Sequence, residues 1–289
     1  MSVLFGLNVS TSAPHASDPV AAARRAEELG FDFVSASDHL HSGDPTFEPW
    51  TLLSWIAAAT SRIHVATRVL AVPYRHPAVV AKMAETLGRL SGGRLILGLG
   101  GGYSDEEFRA FGLGERAPRD KIDGLEEAVR ITRGLWSEER FTFEGRLYRT
   151  EDAELEPKPE RRIPIWLGAY GNRALALTGR LADGWIPSLG YAPPERIGAM
   201  RERVLAAARA AGRDPDEITC AYNVGVRVDE RAEAGTAVVA GSADAVAERL
   251  LGFRELGFYA LSLIPVGPGE REQAERLARE VVPALRAAA

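Results

Sequence analysis

Cysteine is almost absent from this chain. Cys220 stands alone, so neither an internal disulfide nor a cluster of thiolate metal ligands can be built. It lies between Ile218 and Tyr222 in a strand-like run, which points to a buried, inert thiol. No apolar run approaches the ~20 residues that cross a bilayer. Residues 1–5 open directly into a strand pattern with no basic segment ahead of it, so no membrane partner is expected and the protein reads as cytoplasmic. Charge of one sign is also missing: the net charge is −5, and basic residues alternate with acids as in Arg24-Arg25-Ala26-Glu27-Glu28. A nucleic-acid partner, which needs a basic stripe, is therefore excluded. With no internal repeat, low-complexity segment or linker, residues 1–289 read as a single domain.

What the sequence does have is an alternation of short strand-like runs with helix-length amphipathic segments, the pattern of a parallel sheet with crossover helices. Strands are expected near residues 3–8, 33–37, 64–69, 95–99, 165–168, 184–186, 218–226 and 260–264. The helices between them begin with 19–29, where Asp18 is a suitable N-cap and Pro19 a suitable first residue. A further pattern of period two around Glu144-Gly145 suggests a small hairpin over 141–148 outside the repeat. Eight such units fit a closed (β/α)8 TIM barrel, which takes about 250 residues plus insertions, better than the rival doubly wound open sheet. Trp166 and Trp185, on strands, read as packing residues or pocket wall.

Ser37-Asp38-His39-Leu40 places an acid and an imidazole where the second strand runs out, and barrel enzymes do their chemistry at that edge. Adjacent side chains on extended backbone face opposite ways, so Asp38 and His39 can serve different partners. The run Gly98-Leu99-Gly100-Gly101-Gly102-Tyr103 also follows a strand, and Ser104 to Glu107 has capping-box spacing. Bare backbone there admits a flat ring or a phosphate; a tight turn is the plainer alternative. A second loop, Gly168-Ala169-Tyr170-Gly171-Asn172-Arg173, adds a cation at a helix start, suited to an anion or else a solvated surface arginine. His39 and His41 could begin a metal site, but only His15, His64 and His76 remain to complete it, and His64 opens a strand at the wrong end, so no metal is assigned.

Four stretches together resemble the bacterial luciferase-like superfamily and, within it, the coenzyme F420-dependent oxidoreductases. They are Ser37-Asp38-His39, the segment 72–82 beginning Val72-Pro73-Tyr74-Arg75-His76-Pro77, the segment 90–100 and Leu181-Ala182-Asp183-Gly184-Trp185. The resemblance covers nearly the whole chain. It implies a barrel that holds a deazaflavin or flavin at the C-terminal ends of its strands and passes a hydride between ring and substrate. Asp38 would then hydrogen-bond the ring and His39 would stand beside it as acid or base. Arg68, Val69 and Ala71 would belong to a bulge, able to carry a cis non-proline peptide, behind the ring. Gly101, Gly102 and Glu106 would contact ring and ribityl chain, and Gly168, Gly171, Asn172 and Arg173 would serve the phosphate end.

Two departures bear on the substrate. Sugar-phosphate dehydrogenases of this family carry a glutamate directly after the glycine run, where this chain has Tyr103, and a basic residue where it has Tyr191. The resemblance, so modified, implies an F420-dependent oxidoreductase of a small, mainly apolar organic substrate, with His39 or Tyr103 as proton donor. The alternatives are an FMN-dependent monooxygenase and a non-catalytic flavin-binding barrel, against which Asp38, His39 and Tyr103 argue. Family members pair through the early helices, and the apolar helix 50–59 suits a homodimer interface. Specificity falls to the loops 40–48, 141–159 and 188–194.

Overall fold

The computed structural model describes residues 3–14, 17–40 and 45–287. Its centre is a closed ring of eight parallel strands: β1 (Leu4–Asn8), β2 (Phe33–Ala36), β3 (His64–Thr67), β4 (Leu95–Gly100), β5 (Ile165–Gly168), β6 (Gly184–Trp185), β7 (Thr219–Val228) and β8 (Ala260–Pro265). Each strand pairs with the next, and β8 pairs with β1, so the ring has no edge. The eight-unit barrel expected from the alternation is the fold.

Helices α1 (Pro19–Glu28), α2 (Pro49–Ala59), α3 (Pro77–Leu90), α4 (Asp105–Ala110), α5 (Pro118–Ser137), α6 (Asn172–Leu181), α7 (Pro194–Ala210) and α8 (Ala243–Glu255) are among those surrounding it. Asp18 caps α1 by accepting the Ala21 N–H at 2.8 Å. No helix of the described residues is long and apolar enough to cross a membrane.

Inward positions plug the N-terminal half of the barrel with Phe33, Ile96 and Trp166, whose neighbours Ala66, Ala221 and Ala260 are small. Phe33 meets Trp166 edge-on at 5.9 Å. A β-carbon at Gly6 would lie 2.1 Å from the Phe33 ring, and one at Gly184 2.4 Å from Trp166, so these glycines make the plug possible. Trp185 faces out, fully buried, and its Nε1–H donates to the Ala169 carbonyl at 2.9 Å. Cys220 is buried as expected, and burial pushes its thiol pKa up. The interior is thus closed below and available only at the C-terminal face.

Two local expectations need correction, and one strand was not foreseen. The third strand stops at Thr67, and the chain rejoins β4 only at Leu70–Ala71. The hairpin's second strand is Arg149–Ala153, not 146–148, because the Glu127 carboxylate draws the N–H groups of Arg146, Leu147 and Tyr148 into the turn at 2.8, 3.0 and 2.8 Å. A short strand, Val238–Gly241, pairs with the C-terminal half of β7 outside the ring; nothing in its few residues marked it.

Candidate active site

The break in the third strand is a bulge at the C-terminal mouth. Before it, Val65 pairs with Leu95 and Ala66 with Ile96; after it, Leu70 pairs with Leu99 and Ala71 with Gly100, so one residue has been inserted. The Arg68–Val69 peptide is cis. Val69 turns toward β4 and β5, where a β-carbon on Gly100 would come within 2.6 Å of its side chain and one on Gly168 within 3.1 Å. A β-carbon on Gly98 would lie 1.9 Å from the Thr67 carbonyl oxygen. Gly102 has φ +93°, and Phe108 occupies the space its side chain would need. The bare stretch, expected to admit a ligand, is therefore filled on its β-carbon side by the chain's own bulge and by Phe108.

Asp38 secures the bulge from the opposite side. Its buried carboxylate accepts the Ala71 N–H at 2.8 Å and both terminal nitrogens of Arg75, at 2.9 and 3.1 Å. Arg75 also pairs with Glu48, which caps α2 through Trp50 and Thr51. The side chain of Asp38 is fully enclosed, and its three hydrogen bonds fix the segment that carries the bulge. A bidentate pair with a backbone donor added is the geometry of an ionised carboxylate.

His39 faces the other way and is half-exposed. Its Nδ1 lies 2.8 Å from Oε1 of the buried Glu107, while Oε2 of the same carboxylate accepts the Leu40 N–H at 3.0 Å and the Tyr74 hydroxyl at 2.5 Å. Burial works to raise the Glu107 pKa, but the hydrogen bonds from Tyr74, His39 and Leu40 outweigh it and hold the carboxyl below its usual range. An ionised Glu107 can only accept, so Nδ1 carries the hydrogen and Nε2 keeps the lone pair, a tautomer assigned from this network. Burial, with Glu107 beside it, pushes Tyr74 far above the ordinary phenol range. The spacing that read as a capping box is half of one: Ser104 Oγ accepts the Glu107 N–H at 3.2 Å, but the glutamate side chain is diverted to His39.

Three tyrosines from three loops that follow barrel strands stand together. Tyr191 lies between Tyr103, with centroids 6.0 Å apart, and Tyr170, at 5.5 Å, and all three are exposed. Tyr170 Oη accepts the Ser188 N–H at 3.1 Å. At the start of α6, a β-carbon on Gly171 would meet nothing within 4 Å. Arg173 is held by Asp123, and the Asn172 side-chain oxygen is held by Arg203, a cation the sequence did not single out. Glu106 points outward and is exposed. His41 and His15 lie outside the described residues.

The mouth also holds an orphan. Arg68 Nη2 donates to Asn8 Oδ1 at 3.0 Å, but its buried Nε has no hydrogen-bond partner among the described residues. That orphan and the open backbone at Gly171 fit a ring with an anionic tail laid across the strand ends.

These features define a parallel α/β barrel whose C-terminal mouth combines an inserted bulge with an oriented histidine. The sequence matches the family described as luciferase-like monooxygenase over residues 2–238, and the chain belongs to that family. It is 36% identical over 234 residues to an F420-dependent glucose-6-phosphate dehydrogenase of Nakamurella multipartita, a match covering 78% of this chain and 68% of that one. It is 38% identical over 203 residues to an F420-dependent hydroxymycolic acid dehydrogenase of Mycobacterium tuberculosis, covering 68% of this chain and 55% of that protein. The second of these is matched over less than two thirds of its own length, as are further F420-dependent glucose-6-phosphate dehydrogenases similar to the chain, at 52% to 61%. A solved F420-dependent secondary alcohol dehydrogenase, in complex with an F420-acetone adduct, shares the fold with a TM-score of 0.90 at 22% identity, over 99% of both chains.

Proposed function

We propose that the protein is an F420-dependent oxidoreductase that passes a hydride between the deazaflavin and a small, mainly apolar organic substrate. The observation that carries the reading is the His39–Glu107 pair beside the bulge at Arg68–Val69. It is joined by the F420-dependent activities named for two relatives. When bound, F420 supplies the carbon that accepts or gives the hydride.

Val69 and Ala71, braced by Asp38 and Arg75, would support the ring, and Gly101 and Gly102 would border it. The backbone at Gly168 and Gly171, with Asn172, Arg173 and Arg203, would receive the phosphate end. His39 Nε2 takes the proton of a substrate hydroxyl, or returns it to a carbonyl, while Glu107 holds the Nδ1–H and so fixes the tautomer and the ring's orientation. Tyr103, Tyr170 and Tyr191 wall the mouth with rings in place of the carboxylate and cation that would meet a sugar phosphate. Tyr103 hydroxyl is the second proton donor within reach of that wall.

Titration of the apoprotein with F420 and with FMN, followed by ligand fluorescence, tests the cofactor. F420 should bind the more tightly; binding of FMN alone would turn the reading into the monooxygenase one. His39→Ala should leave F420 affinity within several-fold and lower turnover by roughly 10² or more.

We further read the protein as a homodimer in the cytoplasm, where Cys220 stays reduced. The groove between α2 and α3, about 600 Å³ and lined by Trp50, Ala58, Val79, Met83 and Leu90, is apolar. Trp55 beside it is 69% exposed and Leu90 81%, a surface that association through these helices would cover.

A further inference from the structure

Two arginines lie close together in the chain at this mouth, and their surroundings differ in kind. Arg75 has two carboxylates, Asp38 and Glu48. Arg68 has none among the described residues: its hydrogen bond is to the neutral amide of Asn8, and its Nε is bare. Gly6 faces the Phe33 ring inside the barrel, so by strand alternation Asn8 faces inward as well, and the guanidinium bonded to it lies at the inner mouth above the Phe33–Trp166 plug. Burial pulls its pKa down to about 10, which leaves it a cation at neutral pH. A guanidinium with a buried, unpartnered N–H and no carboxylate beside it is a charge left unmatched by the described residues. The same stretch of backbone carries the bulge that the cofactor reading sets against the ring.

We infer that Arg68, oriented by Asn8, is the counter-ion of an ionised oxygen on the bound deazaflavin. The inference rests on the F420 reading and deepens it. The deazaflavin of F420 differs from a flavin in bearing an acidic ring hydroxyl; once ionised, its charge is conjugated across the tricycle to the pyrimidine carbonyl. Oxygens on both edges of the ring share the charge, and a guanidinium near either one stabilises it. FMN has no such hydroxyl and is neutral in its oxidised ring at the same pH, so the site selects F420 by charge as well as by shape.

The test is an absorbance titration of F420 bound to the protein, since the neutral and ionised rings absorb at different wavelengths. In the wild type the ionisation midpoint should lie below that of free F420 by about one to three pH units, as expected for an opposite charge within a few ångströms. Arg68→Met should return the midpoint to the free value or above it. Asn8→Asp, which gives the guanidinium an internal partner and keeps the side-chain volume, should move it the same way and guards against a misfolded Met variant. Arg68→Lys should retain most of the effect.

F420 bound with one midpoint in all four proteins would overturn the inference and leave the cofactor reading standing. Failure of the wild type to bind F420, seen by fluorescence, would overturn the cofactor reading itself. Benzoate, a carboxylate probe, should compete equally weakly with substrate in wild type and Arg68→Met. Competition lost only in the variant, with the midpoint unmoved, would assign the missing anion to the substrate and refute the ring assignment.

Discussion

Glu107→Gln separates the catalytic and the structural work of one carboxylate. In the wild type, Oε2 accepts from Leu40 and Tyr74 while Oε1 accepts from His39 Nδ1. A glutamine in the same rotamer can keep its oxygen at the first position, preserving two of the three hydrogen bonds, and must then aim its amide hydrogens at His39. Nδ1 becomes an acceptor, the ring hydrogen moves to Nε2, and the lone pair that takes the substrate proton is lost. Folding should suffer by only about 1–2 kcal/mol, the charge assistance of the hydrogen bonds. Turnover should fall by about 10²- to 10⁴-fold, the range for a lost general base.

Steady-state kinetics, F420 affinity by fluorescence and urea denaturation read these effects apart: kcat drops by orders of magnitude, affinity barely moves, and the midpoint falls only by that modest amount. The pH dependence adds a sign. Because Glu107 is held below the usual carboxylate range, its contribution to stability is full above the unfolded value of about 4.3 and is lost as pH falls through the lower folded value. The stability gap between wild type and variant should therefore be constant near neutrality and close in acid below about pH 4. A Gln variant with kcat within threefold of wild type would refute the tautomer argument.

Asp38→Asn removes one half of the fork under the bulge; with Glu48 still beside Arg75, it should cost about 3 kcal/mol in urea denaturation and weaken F420 binding, and an unchanged midpoint would show that the fork does not brace the bulge. Gly98→Ala sets a β-carbon against the Thr67 carbonyl, so a loss of about 3 kcal/mol or more is expected, and wild-type stability would contradict the close approach of the two strands. Val79→Glu, at the exposed α2–α3 groove, should halve the mass found by analytical ultracentrifugation without altering the fold seen by circular dichroism; a wild-type sedimentation profile would move the interface elsewhere.

The barrel was legible because each unit repeats the same physical pattern, a short apolar run followed by an amphipathic helix, eight times over. The pattern failed where tertiary contacts took over: Val69 filling the space over Gly100, or Glu127 gathering three N–H groups of a turn. Asp38 and His39 stood out by their place at a strand end. Their partners did not, since Arg75 lies in a later loop and Glu107 in α4, where the capping-box spacing already accounted for it. Glu107 in particular was hidden by the cap in which its own backbone takes part, and only the direction of its side chain reveals the second role. Arg68 was noticed for its neighbourhood in the family pattern, whereas its lack of a counter-charge is visible only once the chain is folded.

The loop between β2 and α2 is moored at each end by side chains that also serve the mouth: Leu40 by Glu107, and Glu48 by Arg75. Residues at the two ends of the loop thus tie the mouth to the start of α2, so a change that loosens either end would be felt where the ring is proposed to rest.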